Sequence, residues 1–172
     1  MEALLPSFVR RATYTTMKTI LFVCTANICR SPMAAAIMRQ RIAQMGLADQ
    51  VRVISAGVWA EGDQSASANA ITTLRQRGIE LASHRSQLLT PELLAEAAII
   101  LVMEESHRRS IFYAAPQHLA KVYLLTEMAG RHEDVDDPYG GPLTLYGRTA
   151  DLLESLIDTG LPAILKRIGV AL

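Results

Sequence analysis

The stretch Thr-Ile-Leu-Phe-Val-Cys-Thr-Ala-Asn-Ile-Cys-Arg-Ser-Pro, residues 19–32, limits what this chain can fold into more than any other. Residues 19–23 are a short β-branched, aliphatic and aromatic run closed by polar loop residues, a pattern that predicts a buried strand. Ser31 suits an N-cap, and Pro32 suits the first helical turn, where a missing N–H costs nothing. The strand is therefore expected to end at Cys24 and a helix to open at Ser31, with a tight loop between them. Successive backbone N–H groups in such a turn converge on one point, and the helix dipole adds positive potential there. A phosphate-sized oxyanion is the natural occupant.

Two side chains give that nest a chemistry. Cys24 stands at the strand end, and Arg30 follows after five intervening residues. Positive surroundings favour the thiolate, the nucleophilic form of cysteine. Arg30 can hold two equatorial oxygens of a phosphoryl group at once, which a lysine would do less specifically. A lone cysteine after a strand is more often a small buried hydrophobe. The joint pattern of strand, Cys, spacing, Arg, Ser, Pro and helix argues instead for nucleophilic chemistry.

The length, 172 residues, fits one α/β domain with a full core. Lys and Arg number 17 and Asp and Glu 17, so the basic excess of a nucleic-acid-binding surface is missing. Sparse aromatics also weaken a base-stacking reading. Both cysteines, Cys24 and Cys29, lie in the loop, which leaves none for a disulfide framework or a four-cysteine zinc site. A reducing cytoplasm suits a reactive thiolate. The longest apolar stretch, residues 93–103, is interrupted by Glu96 and is too short to span a bilayer, so no membrane partner is expected. Arg10 and Arg11 follow a short apolar patch, but Glu2 and Pro6 spoil a signal-peptide pattern. Residues 1–16 are expected to be a disordered N-terminal extension, with the domain over 17–172.

Helical spacing predicts helices over 31–45, 66–77, 91–97, 104–114 and 145–157. Further strands are expected over 51–56, 98–103 and 121–125, the second so uniformly apolar that it should be central and parallel. Residues 126–142 read as a long loop, a length that usually signals function. Gly160 and Pro162 are expected to break or kink the last helix before 163–168. Alternating strands and helices predict a doubly wound, four-stranded parallel sheet with helices on both faces, binding its ligand beyond the carboxyl ends of the strands.

Cys-Thr-Ala-Asn-Ile-Cys-Arg-Ser-Pro resembles the signature loop of the low-molecular-weight protein tyrosine phosphatase family, in its bacterial-type branch, and the likeness extends over about residues 17–158. The resemblance implies a metal-independent phosphatase with no cofactor, acting on protein phosphotyrosine through a cysteinyl-phosphate. It makes Cys24 the nucleophile and Arg30 the phosphate clamp, beside a binding loop of Thr25, Ala26, Asn27, Ile28 and Cys29. Its general acid is the Asp before Pro, which maps onto Asp137, with the adjacent Asp136 as the alternative. Without the resemblance the acids of 133–137, beside Pro and Gly, read as a solvated turn.

The same likeness assigns supporting roles. Asn27 matches the residue that steadies strained loop backbone, Ser55 and His84 its hydrogen-bond partners, and Ser31 the hydroxyl that donates to the thiolate. Each has a plainer alternative: Ser31 a cap, Ser55 a polar strand end, His84 a satisfied core histidine. Cys29 is either packing or, as the resemblance implies, the partner of Cys24 in a reversible protective disulfide. Ile28, Trp59 and Tyr139 match the pocket walls, and such apolar and aromatic walls suit a phenyl phosphate.

Residues 55–60 and 137–141 also resemble a bacterial branch that acts on phosphoarginine. Ile28 favours phosphotyrosine, because a polar residue there would better suit a guanidinium. An arsenate reductase of similar loop would need further cysteines. Outside these enzymes, a phosphoprotein-binding module would be expected to lack nucleophile or acid, and a thiol redox sensor would show no phosphatase activity under reducing conditions. The partners expected are a phosphorylated protein and a cognate kinase, with the chain a monomer or weak homo-oligomer.

Overall fold

The computed structural model describes residues 16–172, so the expected N-terminal extension lies outside the described residues except for Thr16. Strand β1, Lys18–Cys24, sends Ile20, Phe22 and Cys24 into one apolar cluster and Leu21 and Val23 into another, because successive strand side chains point to opposite faces. Helix α1, Arg30–Gln44, follows it and returns the chain to β2, Val51–Gly57. Helices α2, Ala68–Arg75, and α3, Pro91–Glu96, lead to β3, Ala97–Val102. Helix α4, Glu105–Ala114, and a 3-10 turn, Pro116–Lys121, lead to β4, Val122–Leu124. Helices α5, Leu125–Met128, and α6, Leu143–Ile168, complete the chain.

All strand pairs are parallel, in the order β2-β1-β3-β4. The sequence moves to one side of β1 for β2 and to the other for β3, so the order reverses beside β1. The carboxyl ends of β1 and β3 therefore flank the crevice where doubly wound sheets bind ligands. Residues of α1, α2, α5 and α6 pack on the face carrying Phe22, and residues of α3 and α4 on the face carrying Val23. Among the described residues no helix is long and apolar enough to cross a membrane.

Four expectations are corrected. Helix α1 opens at Arg30 with Cys29 in the cap position and no side-chain cap; Ser31 lies inside the helix because its hydroxyl is drawn toward Cys24 and Asn27. Helix α2 is shorter than expected, and its cap is Ser67, whose hydroxyl accepts from the Ala70 N–H. Leu125 opens α5 instead of ending a strand, which leaves 129–142 as the loop. Helix α6 runs unbroken through Gly160 and Pro162. Ile157, Leu161, Ile164, Leu165 and Ile168 bury one stripe on both sides of the proline, and that packing outweighs one forfeited hydrogen bond. Gly160 serves contact: a Cβ there would stand 2.8 Å from the Cβ of Met128 on α5.

Candidate active site

The loop between β1 and α1 is held by its carbonyls. Those of Cys24 and Thr25 accept from the N–H groups of Val58 and Trp59, that of Ile28 from Ser67 N–H, and that of Cys29 from Met33 N–H. The Asn27 carbonyl lies 2.7 Å from His84 Nε2. Every peptide bond described is trans, and in a trans peptide the C=O and the following N–H point in opposite directions. With the carbonyls tied to the surrounding shell, the amides after them turn to the loop's concave side, as an anion nest requires.

Asn27 makes the turn possible. It sits in left-handed backbone, φ 58, and is fully buried. Asparagine tolerates that region better than most residues. Its Nδ2 donates to Ser31 Oγ at 2.8 Å and to Ser55 Oγ at 2.9 Å, and its Oδ1 accepts from Gln87 N–H at 3.0 Å. These contacts are those of a brace behind the loop, the supporting role the resemblance implies for Asn27; the lining of the pocket described below does not include it. Ser31 Oγ accepts from Asn27, and its own proton has two acceptors in reach, Cys24 Sγ at 2.9 Å and the Ala56 carbonyl at 3.4 Å. Burial pushes the His84 imidazole below its ordinary range despite the Asn27 carbonyl, so the neutral ring donates through Nε2.

Arg30 is almost wholly buried, and a buried cation needs partners. One terminal nitrogen bonds the Glu104 carboxylate and the Val135 carbonyl, the latter at 2.8 Å. The other reaches Asp137 Oδ2 at 3.2 Å and Thr25 Oγ1 at 3.5 Å. Burial alone would raise the Glu104 carboxyl, but hydrogen bonds from Arg30 and Ser106 outweigh it and hold the group below the usual carboxylate range. Glu104 is absent from the sequence reading. Its signal was its place two residues beyond β3, at the same end of the sheet as Cys24.

Cys24, Thr25, Ala26, Ile28, Cys29, Arg30, Trp59, Asp137 and Tyr139 surround one pocket of about 390 Å³, joined by Glu61 and Gln64, which sequence reasoning missed. Trp59 and Tyr139 are largely exposed rim residues, while Ile28 is half-buried. Asp136 is not part of this wall. Cys29 is buried, with its sulfur 3.3 Å from Ser67 Oγ and 3.4 Å from Tyr146 Oη. Burial pushes its thiol up, against the hydrogen bonds of Ser67 and Tyr146.

Fold and pocket together define a class: a parallel α/β protein with an oxyanion nest at the carboxyl end of its first strand, built around a thiol and a guanidinium. The family model described as low molecular weight phosphotyrosine protein phosphatase matches residues 19–168, and the chain belongs to that family, whose members are cysteine-dependent phosphatases. A protein-arginine-phosphatase of Geobacillus stearothermophilus is 41% identical over 140 residues, covering 81% of this chain and 90% of that protein. A probable low molecular weight protein-tyrosine-phosphatase, EpsP, of Ralstonia nicotianae is 36% identical over 148 residues, covering 86% and 97%. Among solved structures, the low molecular weight protein tyrosine phosphatase from T. tengcongensis superposes with a TM-score of 0.81 at 38% identity, covering 85% of this chain and 99% of that one.

Proposed function

We propose that this chain hydrolyses protein phosphotyrosine, with Cys24 as nucleophile, Arg30 as phosphate clamp and Asp137 as acid and base. The observation that carries the reading is that Cys24, Arg30 and Asp137 line one pocket, beside a loop whose carbonyls are bonded to the surrounding shell. Cys24 Sγ attacks phosphorus, the ester P–O bond breaks, and Asp137 gives its proton to the leaving oxygen. Ionised Asp137 then takes a proton from water, whose oxygen attacks phosphorus. The P–S bond breaks, phosphate departs, and the thiolate is restored. Arg30 and the loop amides hold the equatorial oxygens through both steps. Ser31 donates to the sulfur, which stabilises it as nucleophile and as leaving group.

Ile28, Trp59 and Tyr139 favour a phenyl phosphate over a guanidinium phosphate. A phosphoarginine substrate is the second reading. It is favoured by the Geobacillus relative and by Glu61, whose carboxylate on the same wall suits a guanidinium. In either case a kinase in a reducing cytoplasm would supply the phosphoprotein. The test is steady-state hydrolysis of matched phosphotyrosine and phosphoarginine peptides by wild type and Cys24→Ser, with reductant and chelator present. The expected result is a preference for phosphotyrosine that the substitution abolishes. Preference for phosphoarginine would overturn the substrate and keep the mechanism; turnover of neither would overturn both.

A further inference from the structure

Behind the pocket wall stands a buried histidine that the two-step chemistry above does not use. His107 lies on α4, 2% exposed, and its ring bridges two parts of the site. Nδ1 is 3.1 Å from the Glu104 N–H, and Nε2 is 2.9 Å from Thr25 Oγ1. An amide N–H can only donate, so Nδ1 must carry the lone pair and Nε2 the proton. His107 therefore donates to the Thr25 hydroxyl. Arg30 also directs an N–H at that oxygen, at 3.5 Å. A hydroxyl has two lone pairs and one proton; with both lone pairs facing donors, the proton is left to point elsewhere. Thr25 lines the pocket, and the pocket is the open direction.

We propose that His107 is a positioning residue that turns the Thr25 hydroxyl into a donor for a phosphoryl oxygen of the substrate. The inference rests on the phosphatase reading and adds a side-chain donor to the backbone nest and Arg30. The ring suits the task because it stays neutral: burial and the neighbouring Arg30 push its pKa down to about 4. An imidazolium would set a second N–H against the Glu104 amide and break the cap of α4. A neutral ring with a fixed tautomer keeps the Thr25 oxygen occupied on its far side, so the hydroxyl cannot rotate its proton away from the substrate.

Four substitutions test this on whichever phosphopeptide the wild type hydrolyses, with inorganic phosphate as a competitive inhibitor. Thr25→Val keeps the shape and removes the hydroxyl. It is expected to lower kcat/KM about tenfold and to weaken phosphate inhibition, since a hydrogen bond to a charged group is lost. Thr25→Ser is expected to restore most of both. His107→Asn keeps an acceptor in reach of the Glu104 amide but is too short to reach Thr25, so it is expected to cost about fivefold in kcat/KM with the cap preserved. In the Thr25→Val background the same substitution is expected to cost less than about twofold, because its effect passes through the missing hydroxyl. A purely structural His107 would lower kcat/KM equally in both backgrounds, and that result would overturn the proposal. If His107→Asn did not fold, His107→Gln would complete the cycle in its place. No turnover by wild type would instead overturn the phosphatase reading, whereas turnover untouched by Thr25→Val would overturn this inference alone.

Discussion

His84 Nε2 donates to the main-chain carbonyl of Asn27 across 57 residues of sequence, at 2.7 Å, and so pins the one peptide in the loop that must adopt left-handed backbone. With its side chain bonded to Ser31, Ser55 and Gln87, Asn27 is held from three directions. Replacing it by alanine removes those bonds, leaves buried partners unsatisfied and puts a residue that disfavours positive φ at the turn. Asn27→Ala is expected to cost about 2–4 kcal/mol in urea unfolding. It should also lower kcat/KM by at least an order of magnitude, because the nest opens.

Gly57 borders the loop closely. A Cβ there would meet the Thr25 carbonyl at 2.5 Å and the Asn27 nitrogen at 2.9 Å, both backbone atoms that cannot step aside alone. Gly57→Ala is expected to destabilise by about 1–3 kcal/mol, the usual cost of overpacking. By shifting the nest it should reduce turnover more than its stability cost predicts, as parallel unfolding and kinetic measurements would show.

Ile28 lines the pocket, and the proposed preference for phosphotyrosine rests on it. Ile28→Thr replaces an apolar wall by a hydroxyl that can bond a guanidinium, and a single contact of that kind is worth about tenfold or more in specificity. The ratio of kcat/KM for phosphotyrosine over phosphoarginine peptide is expected to fall by about that factor, with the protein's melting temperature little changed.

Stability should depend on His107 in a direction set by its pKa. The group titrates near 6.5 when exposed and near about 4 in the folded protein. Below pH 6.5 the unfolded chain takes up a proton that the folded chain refuses. The stabilisation is therefore fully present above about pH 6.5 and is lost as pH falls toward 4, by up to about 3 kcal/mol. His84, also pushed down by burial, acts in the same sense. Urea midpoints measured from pH 7 to 4.5 should fall, and His107→Asn should flatten that fall.

The site was legible in the sequence where its geometry is local. Cys24, Arg30 and the strand and helix around them lie within one short stretch, so spacing alone joined them. Asp137 entered through the family likeness, since an Asp-Pro pair by itself reads as a turn. Glu104, His107 and Gln87 were not found: their partnerships with Arg30, Thr25 and Asn27 span 74, 82 and 60 residues, and no local pattern marks them. Ser31 was misplaced as a helix cap because a serine before proline satisfies that rule; the family likeness, which pairs its hydroxyl with Cys24, pointed to where the side chain lies. The sheet was readable from apolar runs. The continuity of α6 was not, because Pro162 is a local veto that only tertiary packing overrules.

The partners of Arg30 have a consequence for how this protein comes into being. The guanidinium emerges early in synthesis, but Glu104, Val135 and Asp137 follow 74, 105 and 107 residues later, and the Tyr146 hydroxyl beside Cys29 comes after 117. A nascent chain therefore carries its reactive loop for most of translation without the groups that shape it. The last residues to line the pocket, Asp137 and Tyr139, are made just before α6, whose buried stripe then closes the core on the side of Phe22 and Cys24.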